Sequence, residues 1–298
     1  EFRRVLFRSY FEYLSQVHEI DERCEIHGTR LKVFKDFEPF CLACREERIR
    51  EEEQKRFEQA FDRKKRRTTQ EVLLKDSVYT DSTLQSACFE NYHAKPGTEA
   101  EQAKEFAINQ AREYYRLRLE NNKSIEQEQE EEQQPAFTMV FSGPVGVGKS
   151  HLAMSILKKL NEYNDLSYSC LFFSLDQLLR RIRNSYDDES EYLTEARAVQ
   201  LALDADYFVL DDLGAEVGSI ETNKRATDFM IRVLNAIVDG RQGKGLIITT
   251  NLTNLQIQAI YGHRIYSRLF ANSKNHLFIF NDERQTPDYR LMGGEKNV

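Results

Sequence analysis

The stretch FSGPVGVGKSHLA, from Phe141 to Ala153, decides the fold of this chain. It satisfies the pattern G-x-x-x-x-G-K-[ST], with an apolar strand predicted before it and a helix predicted from Lys149 onward. The glycines of the pattern let the backbone turn so that successive N–H groups point at bound phosphates. The sequence therefore predicts a phosphate-binding loop. Its residues are Gly143, Gly146, Val147, Gly148, Lys149, Ser150 and His151.

Two carboxylates about sixty residues further on complete a site for this loop. The stretch YFVLDDLGAE ends an apolar strand with Asp211 and Asp212. A parallel strand delivers its carboxyl end to the edge of the sheet that carries the loop. Lys149 is expected at the β- and γ-phosphates, Ser150 and Asp211 at Mg²⁺, and Asp212 at the attacking water. Together these residues predict a site that hydrolyses a nucleoside triphosphate.

The pattern around the loop predicts the fold class. Apolar runs rich in β-branched and aromatic residues alternate with helical stretches, which is typical of an α/β fold with a parallel sheet between helices. The predicted strands are FTMVFS, YSCLFFSL, YFVLDD, GLIITTN and HLFIF. One predicted helix begins at Glu99 and a second at Lys149. A third helical stretch runs through Arg197, and a fourth helix spans Ala226 to Val238. Gly240 is expected to stop the last of these helices.

Three of the five cysteines lie with a histidine in the first 44 residues. Cys24-x2-His27 and Cys41-x2-Cys44 offer three thiolates and one imidazole, which matches a closed tetrahedral zinc site. Zinc is favoured over an iron–sulfur cluster because a histidine is present and no cluster-type cysteine run occurs. A module this small has too little core to fold unaided, so we expect the metal to stabilise it.

Length and composition predict how the chain divides into domains. With 298 residues the chain has room for an α/β domain and a smaller module. The predicted domains are a zinc module over 10–45, a charged helical linker over 46–75 and an ATPase domain over 76–298; the acidic run NNKSIEQEQEEEQQP is expected to be an internal spacer. Glu1-Phe2 is what an in-frame GAATTC site encodes, so roughly the first nine residues are expected to be a cloning remnant.

Apolar runs are too short to span a membrane, and the first residues lack the apolar core of a signal peptide. The sequence therefore predicts a cytoplasmic protein with no membrane partner. The net charge of −7 argues against a protein that coats nucleic acid over its whole surface. Acidic residues surround the zinc ligands, which favours a protein partner for this module over phosphate contact.

Four motifs in a fixed order resemble a known family. GPVGVGKSHLA, LDDLGAE, IITTN and YSRLF resemble the helicase loaders of the DnaC and DnaI type, close to the IstB transposition ATPases, all within the AAA+ superfamily. The resemblance covers roughly residues 76–298 and implies an ATPase that uses ATP and Mg²⁺. Many AAA+ ATPases have glutamate where this chain has Asp212, so we expect slow hydrolysis.

The resemblance also implies catalytic roles for Asp212, Asn251, Arg268 and Arg290. Asn251 would orient the hydrolytic water, Arg268 would be an arginine finger inserted into a neighbouring subunit's site, and Arg290 would read the γ-phosphate of its own chain. Arg264 is a rival for the finger, and a surface ion pair is the alternative for each arginine.

Loaders of the DnaI type, which this chain resembles, place a zinc module ahead of the ATPase domain to grip the replicative helicase. The resemblance therefore implies an ATP-dependent loader of a hexameric helicase onto single-stranded DNA, assembled as a homo-oligomer through its ATP sites. Two alternatives remain: an IstB-like transposition helper, and a non-hydrolytic adaptor or inhibitor that ATP switches.

Overall fold

The structure is a computed structural model that describes residues 17–34, 37–55, 72–126, 135–162, 168–217 and 225–281. By its internal contacts the chain divides into two compact units, Glu1–Lys65 and Arg66–Val298. In the described ranges, no helix is long and apolar enough to cross a membrane.

The first unit contains a hairpin followed by a helix. Strand β1 (Val17–Arg23) pairs antiparallel with β2 (Arg30–Phe34). The turn between them places Gly28 at a φ of 66°, a left-handed conformation that glycine adopts without a steric penalty. Residues 42–55 form helix α1. Lys32 in β2 bridges to Phe40, just ahead of α1, so the start of this helix lies beside the hairpin.

The second unit is a five-stranded parallel sheet between helices, which confirms the predicted α/β fold class. The strands lie in the order β4, β5, β6, β3, β7. Their bounds are β3 (Thr138–Ser142), β4 (Cys170–Ser174), β5 (Tyr207–Leu213), β6 (Gly245–Thr250) and β7 (Leu277–Ile279). The four longer strands are buried along most or all of their length, as expected of a sheet that is covered on both faces.

Two helical layers cover the sheet and form two hydrophobic clusters. Helices α2 (Glu99–Glu126) and α3 (Lys149–Glu162) pack on one face. The helices of the other face are α4 (Leu175–Asn184), α5 (Glu195–Asp204), α6 (Asp228–Gly240) and α7 (Asn254–Leu269). Helix α6 ends at Gly240, where the sequence predicted its stop.

The segment before α2 belongs to the same unit. Leu73, in the helical turn Val72–Asp76, is buried in the core, so this core reaches into residues for which the sequence predicted the linker. Val78 forms a parallel bridge to Phe173 at the outer side of β4. A short 3-10 helix, Ser82–Ser86, follows and leads to the residues that lie over the phosphate-loop region.

Candidate functional site

The predicted phosphate loop connects β3 to α3, and three of its positions require glycine. Gly143, Gly146 and Gly148 have φ values of 142°, 84° and 90°, in the region that L side chains rarely adopt. A Cβ on Gly143 would lie 2.6 Å from Phe280 Cβ, and one on Gly148 would lie 2.6 Å from Tyr92 Cε2. The loop therefore needs glycine for its positive φ values, and at Gly143 and Gly148 also because the neighbouring residues leave no room for a Cβ.

Lys149 begins α3 and is buried, with 7% of its surface exposed. Its Nζ donates hydrogen bonds to the carbonyl oxygens of Gly143 and Pro144, at 2.9 and 2.5 Å, and to Asn251 Oδ1 at 2.6 Å. Asn251 follows β6 directly. The structure thus brings the predicted phosphate-binding lysine and the asparagine at the end of IITTN into direct contact.

The two carboxylates at the end of β5 lie beside this lysine and asparagine. Asp211 is buried, and burial raises the pKa of its carboxyl to about 6 against the opposing hydrogen bonds from the hydroxyls of Thr249 and Ser150. Asp212 has a φ of 58° and accepts a hydrogen bond from Asn251 Nδ2 at 3.3 Å. The side chains predicted to contact phosphate, Mg²⁺ and the attacking water therefore converge at one end of the sheet.

The oxygen donors at this point fit Mg²⁺. The Ser150 hydroxyl lies near enough to lower the pKa of Asp211, and the two residues supply a hydroxyl and a buried carboxylate, which are ligand types that Mg²⁺ prefers. A cation there would also offset the burial that disfavours the ionised carboxylate of Asp211. The residues present thus suit the cation that the loop motif implies.

Glu216 is a site residue that sequence analysis missed as a functional group. It is partly buried, accepts a hydrogen bond from the Gly214 N–H at 3.1 Å, and is hydrogen-bonded by the Tyr261 hydroxyl of α7. Burial raises the pKa of the Glu216 carboxyl, and the nearby charge of Asp212 acts in the same direction. The glutamate belongs to the quoted motif LDDLGAE, so its sequence position was visible although its contact with α7 was not.

Tyr92 is a second residue that the sequence did not single out. Its hydroxyl donates to the carbonyl oxygen of Val147 at 3.1 Å, across 55 positions of sequence, and its ring packs on Gly148. His151 lies edge-on to this ring and donates from Nε2 to the Cys88 carbonyl oxygen at 2.9 Å. The contacts of His151 thus hold the segment around Tyr92 against the loop.

The two candidate arginine fingers lie away from their own phosphate loop. Arg268 Nη1 lies 2.9 Å from Asp239 Oδ1, and Arg264 Nη2 lies 3.3 Å from Asp239 Oδ2. Arg268 also lines a small cavity with Thr138, at the start of β3, whereas the loop follows the end of that strand. At about 3.3 Å per residue the two ends of β3 are about 13 Å apart. Arg290 lies outside the described residues.

The four predicted zinc ligands converge in the first unit. Cys24 and His27 lie in the turn after β1, while Cys41 directly precedes α1 and Cys44 lies in its first turn. Sγ of Cys24 is 3.6 Å from Sγ of Cys44, and His27 Nδ1 lies 3.3 to 3.9 Å from the three sulfur atoms. A tetrahedral zinc ion with Zn–S bonds of about 2.3 Å holds its sulfur ligands about 3.8 Å apart. The cluster therefore fits the ion in ligand type and in spacing.

Neighbouring groups complete this cluster. His27 Nε2 lies 3.2 Å from Glu47 of α1, as in sites where a carboxylate orients a metal-binding imidazole. The Thr29 hydroxyl, 3.3 Å from Cys41 Sγ, is the first cause that lowers the pKa of this thiol to about 6. Hydrogen bonds with Cys24 and then Glu47 raise the pKa of His27 to about 9. The first shift reflects donors that stabilise the Cys41 thiolate, and the second reflects acceptors that stabilise the protonated imidazole of His27.

A comparison with known protein families decides where the second unit belongs. The profile of the family described as IstB-like ATP binding protein matches residues 105–269, more than half of the chain. The chain belongs to this family. The match confirms the predicted IstB-like ATP-binding domain, and it spans the phosphate loop, both aspartates, Asn251 and the two candidate finger arginines. The zinc-ligand cluster lies outside the IstB-like match.

Several solved structures resemble this chain. The crystal structure of the DnaC helicase loader has 21% sequence identity, a TM-score of 0.46, and covers 67% of this chain and 100% of its own. The crystal structure of DnaI has 17% identity, a TM-score of 0.48, and covers 69% and 96%. Domain III of the replication initiation protein DnaA from Thermotoga maritima has 15% identity, a TM-score of 0.44, and covers 70% and 72%. No protein of curated function matches the chain significantly in sequence. The family assignment therefore rests on the sequence profile.

Proposed function

We propose that this protein is an ATP-dependent loader that places a hexameric replicative helicase on single-stranded DNA during the initiation of replication. The family assignment supports ATP binding, and the resemblance of four ordered motifs to DnaC- and DnaI-type loaders supports the more specific role. The protein would act in the cytoplasm as a homo-oligomer whose ATP sites lie between subunits.

One observation carries the choice of a loader over a simple ATPase. A cluster suited to zinc lies in a unit of its own, outside the residues that match the IstB-like family. The surface near its ligands exposes Asp21, Glu22, Glu25 and Glu38, which disfavours contact with DNA phosphates, and it also exposes Ile26. A compact, metal-stabilised module with acidic and apolar surface suits a protein partner, which we propose to be the helicase.

The residues at the loop support hydrolysis as the driving reaction. The loop N–H groups and Lys149 would bind the phosphates, while Asp212 and Asn251 would hold and orient the attacking water. Mg²⁺, bound by Ser150 and Asp211, would neutralise charge that develops on the phosphate oxygens. Because Asp212 is one methylene shorter than the glutamate of many AAA+ ATPases, we expect slow turnover, suited to a switch.

A capture experiment tests the proposed function. Immobilised protein is incubated with hexameric replicative helicase, with and without ATP, beside a Cys41→Ser, Cys44→Ser variant and a Lys149→Ala variant. We expect the cysteine variant to lose the helicase, and Lys149→Ala to retain the helicase but fail to transfer it to single-stranded DNA circles. Capture of no helicase by the wild-type protein would contradict the proposal, as would equal capture by the cysteine variant.

A transposition helper is the second candidate, because the matched family carries the IstB name. This role predicts that ATP-bound protein captures a transposase and leaves helicase in solution. The separate cysteine–histidine cluster favours the loader. A non-hydrolytic adaptor or helicase inhibitor is distinguished by phosphate release: it would bind ATP and helicase but release no phosphate.

A further inference from the structure

The end of β5 contains an irregularity that decides where the two aspartates point. Leu210 pairs with Ile248 of β6, whereas Leu213 pairs with Thr250. Two residues of β5, Asp211 and Asp212, therefore lie opposite a single residue of β6, which is the arrangement of a β-bulge. Successive side chains on a regular strand point to opposite faces of the sheet. The bulge is what allows neighbouring aspartates to serve one site.

The single residue opposite this bulge is Thr249, with 1% of its surface exposed. Its Oγ1 accepts a hydrogen bond from the Asp212 N–H at 2.8 Å and donates one to Asp211 Oδ1 at 2.6 Å. A bulge locally disrupts the ladder hydrogen bonds, and a main-chain N–H at such a position is stabilised by another hydrogen-bond partner. The threonine hydroxyl supplies that partner where Asp212 adopts its left-handed φ of 58°.

We propose that Thr249 is a positioning residue for nucleotide hydrolysis, because its one hydroxyl fixes both the carboxylate at the metal position and the backbone of the carboxylate at the water position. Through Asp212 this arrangement extends to Asn251 and from there to Lys149. The inference rests on the proposed ATPase activity and adds to it a residue that acts through the two aspartates. A valine side chain has about the size of threonine but no hydroxyl, so it cannot make either of these hydrogen bonds.

The next residue of β6 offers a matched control. Thr250 is equally buried, at 1%, and its hydroxyl also makes two hydrogen bonds. It donates to the Leu213 carbonyl oxygen at 2.7 Å and accepts from the Leu252 N–H at 3.0 Å. These partners are main-chain groups and include neither carboxylate. Loss of a buried threonine hydroxyl as such should therefore affect Thr249→Val and Thr250→Val alike, whereas loss of carboxylate positioning should affect only the former.

Steady-state hydrolysis separates the two effects. We expect Thr249→Val to lower kcat on the order of 10- to 100-fold with little change in KM, since small displacements of positioned groups cost rates of this order. Thr249→Ser, which keeps the hydroxyl, should stay within about threefold of wild type. Thr250→Val should keep the wild-type kcat even if this variant unfolds at a lower urea concentration than the wild type. The proposal is overturned if Thr249→Val and Thr249→Ser lose kcat equally. It is also overturned if the kcat of both valine variants falls in proportion to their loss of stability.

A binding measurement tests the role of Thr249 without relying on ATP turnover. The affinity for a non-hydrolysable fluorescent ATP analogue is measured with Mg²⁺ and with chelator. We expect Thr249→Val to bind like wild type in chelator and to lose most of the strengthening by Mg²⁺, because Asp211 is no longer held. If this variant fails to fold, Thr249→Ala removes the same hydroxyl without a methyl group beside the carboxylate, and the same results are expected of it. Full Mg²⁺ strengthening in a folded variant that lacks the hydroxyl would refute the inference, whereas a wild-type protein that binds no analogue would refute the proposed ATPase itself.

Discussion

Lys149 and Asp212 both hydrogen-bond to the side chain of Asn251, yet their expected roles differ. Lys149→Ala removes the phosphate-facing charge and should raise the Kd for ATP by about 100-fold or more. Asp212→Asn should keep ATP affinity and lower hydrolysis by roughly 10²- to 10⁴-fold, because it removes a base. Asparagine also tolerates the left-handed φ of this position, so the backbone is expected to stay in place.

Titration with a fluorescent ATP analogue and a phosphate-release assay check this pair. Lys159→Ala, at the exposed end of α3, serves as a lysine control and should leave both measurements unchanged. A similar loss of affinity in Lys149→Ala and Asp212→Asn would show that the role given to Asp212 is mistaken.

Glu216 supplies a prediction about pH. Since burial raises its pKa above the ordinary value of 4.5, the folded protein binds more protons than the unfolded chain just above that pH. The wild-type free energy of unfolding should therefore fall relative to that of Glu216→Gln as the pH rises from about 4.5 through the native pKa, and then level off. Glutamine can still accept from Gly214 and donate to Tyr261. Urea unfolding of both proteins at several pH values measures the difference, and a difference that grows in favour of the wild type would refute the assignment.

The residues that sequence analysis found share one property: local spacing reveals them. The glycines of the loop, Lys149, the aspartate pair and the paired cysteines each occur in a short pattern with a known chemistry. Thr249, Tyr92 and the Glu216–Tyr261 contact could not be found in this way. Their roles depend on side chains that the fold brings together across 37 or more positions of sequence.

At the scale of elements, hydrophobic patterning predicted every strand of the second unit's five-stranded sheet, but it placed one helix where the structure has two. The sequence predicted a helical stretch through Arg197, whereas α4 ends at Asn184 and α5 begins at Glu195. Asp188 explains part of the interruption, because its carboxylate accepts from the Ser190 N–H at 2.9 Å and from its hydroxyl at 2.6 Å. Such local bonds compete with helical ones.

The junction of α5, α6 and the sheet depends on one buried arginine. Arg241 is 3% exposed, and its guanidinium donates to the carbonyl oxygens of Ala202, Ala205, Asp206 and Gly245. Burial lowers its pKa to about 10. Arg241→Leu would leave several buried carbonyl groups without donors, so we expect a loss of about 3 kcal/mol or more in the free energy of unfolding.

Urea unfolding measures this loss against a control on α6, the helix that ends directly before Arg241. Arg232 of α6 makes a two-pronged ion pair with Glu195 of α5, but its side chain is 60% exposed. Exposed pairs contribute little, so Arg232→Leu should cost at most about 1 kcal/mol. Equal costs for the two variants would mean that the carbonyl contacts of Arg241 add nothing specific.

At the scale of the molecule, the two units should respond differently to metal removal. The first unit contains a two-stranded hairpin and α1 as its described elements, so zinc bound by Cys24, His27, Cys41 and Cys44 would supply much of its stability, on the order of 10 kcal/mol. A zinc-selective chelator, with Mg²⁺ kept in excess, should unfold this unit and leave ATP affinity within about twofold, because the second unit has its own core. Metal analysis should give one zinc per chain. Substoichiometric zinc that is unchanged in Cys41→Ser, Cys44→Ser would disprove the site.

Assembly is the second whole-molecule prediction. Arg268 lies towards the start of β3, away from the loop at the end of that strand, which suits action on a neighbour's site. Arginines acting in trans contribute roughly 10³–10⁵ in rate in related phosphoryl-transfer enzymes. Arg268→Ala and Lys149→Ala should each be inactive alone. An equal mixture should recover about a quarter of wild-type activity, since one interface in four then joins an intact loop to an intact arginine.

Phosphate release by each protein and by the mixture is the measurement, with Arg264→Ala as the companion variant. If Arg264→Ala is inactive while Arg268→Ala is fully active, the finger is Arg264. Activity that persists in both arginine variants, or in dilute monomeric wild type, would refute a shared site.

The bridge at Val78 bears on how this chain avoids aggregation. β4 reads CLFFS and is buried along its length, yet it is the outermost of the five strands. Ser77 Oγ accepts from the Phe172 N–H, and Val78 accepts from Ser174 and donates to Phe172, so main-chain groups that would otherwise recruit another strand are satisfied. A truncated chain that begins after Val78 would expose the outer edge of this apolar strand, with its main-chain groups unpaired on that side. The short segment around Ser77 and Val78 thus protects β4 from intermolecular strand pairing.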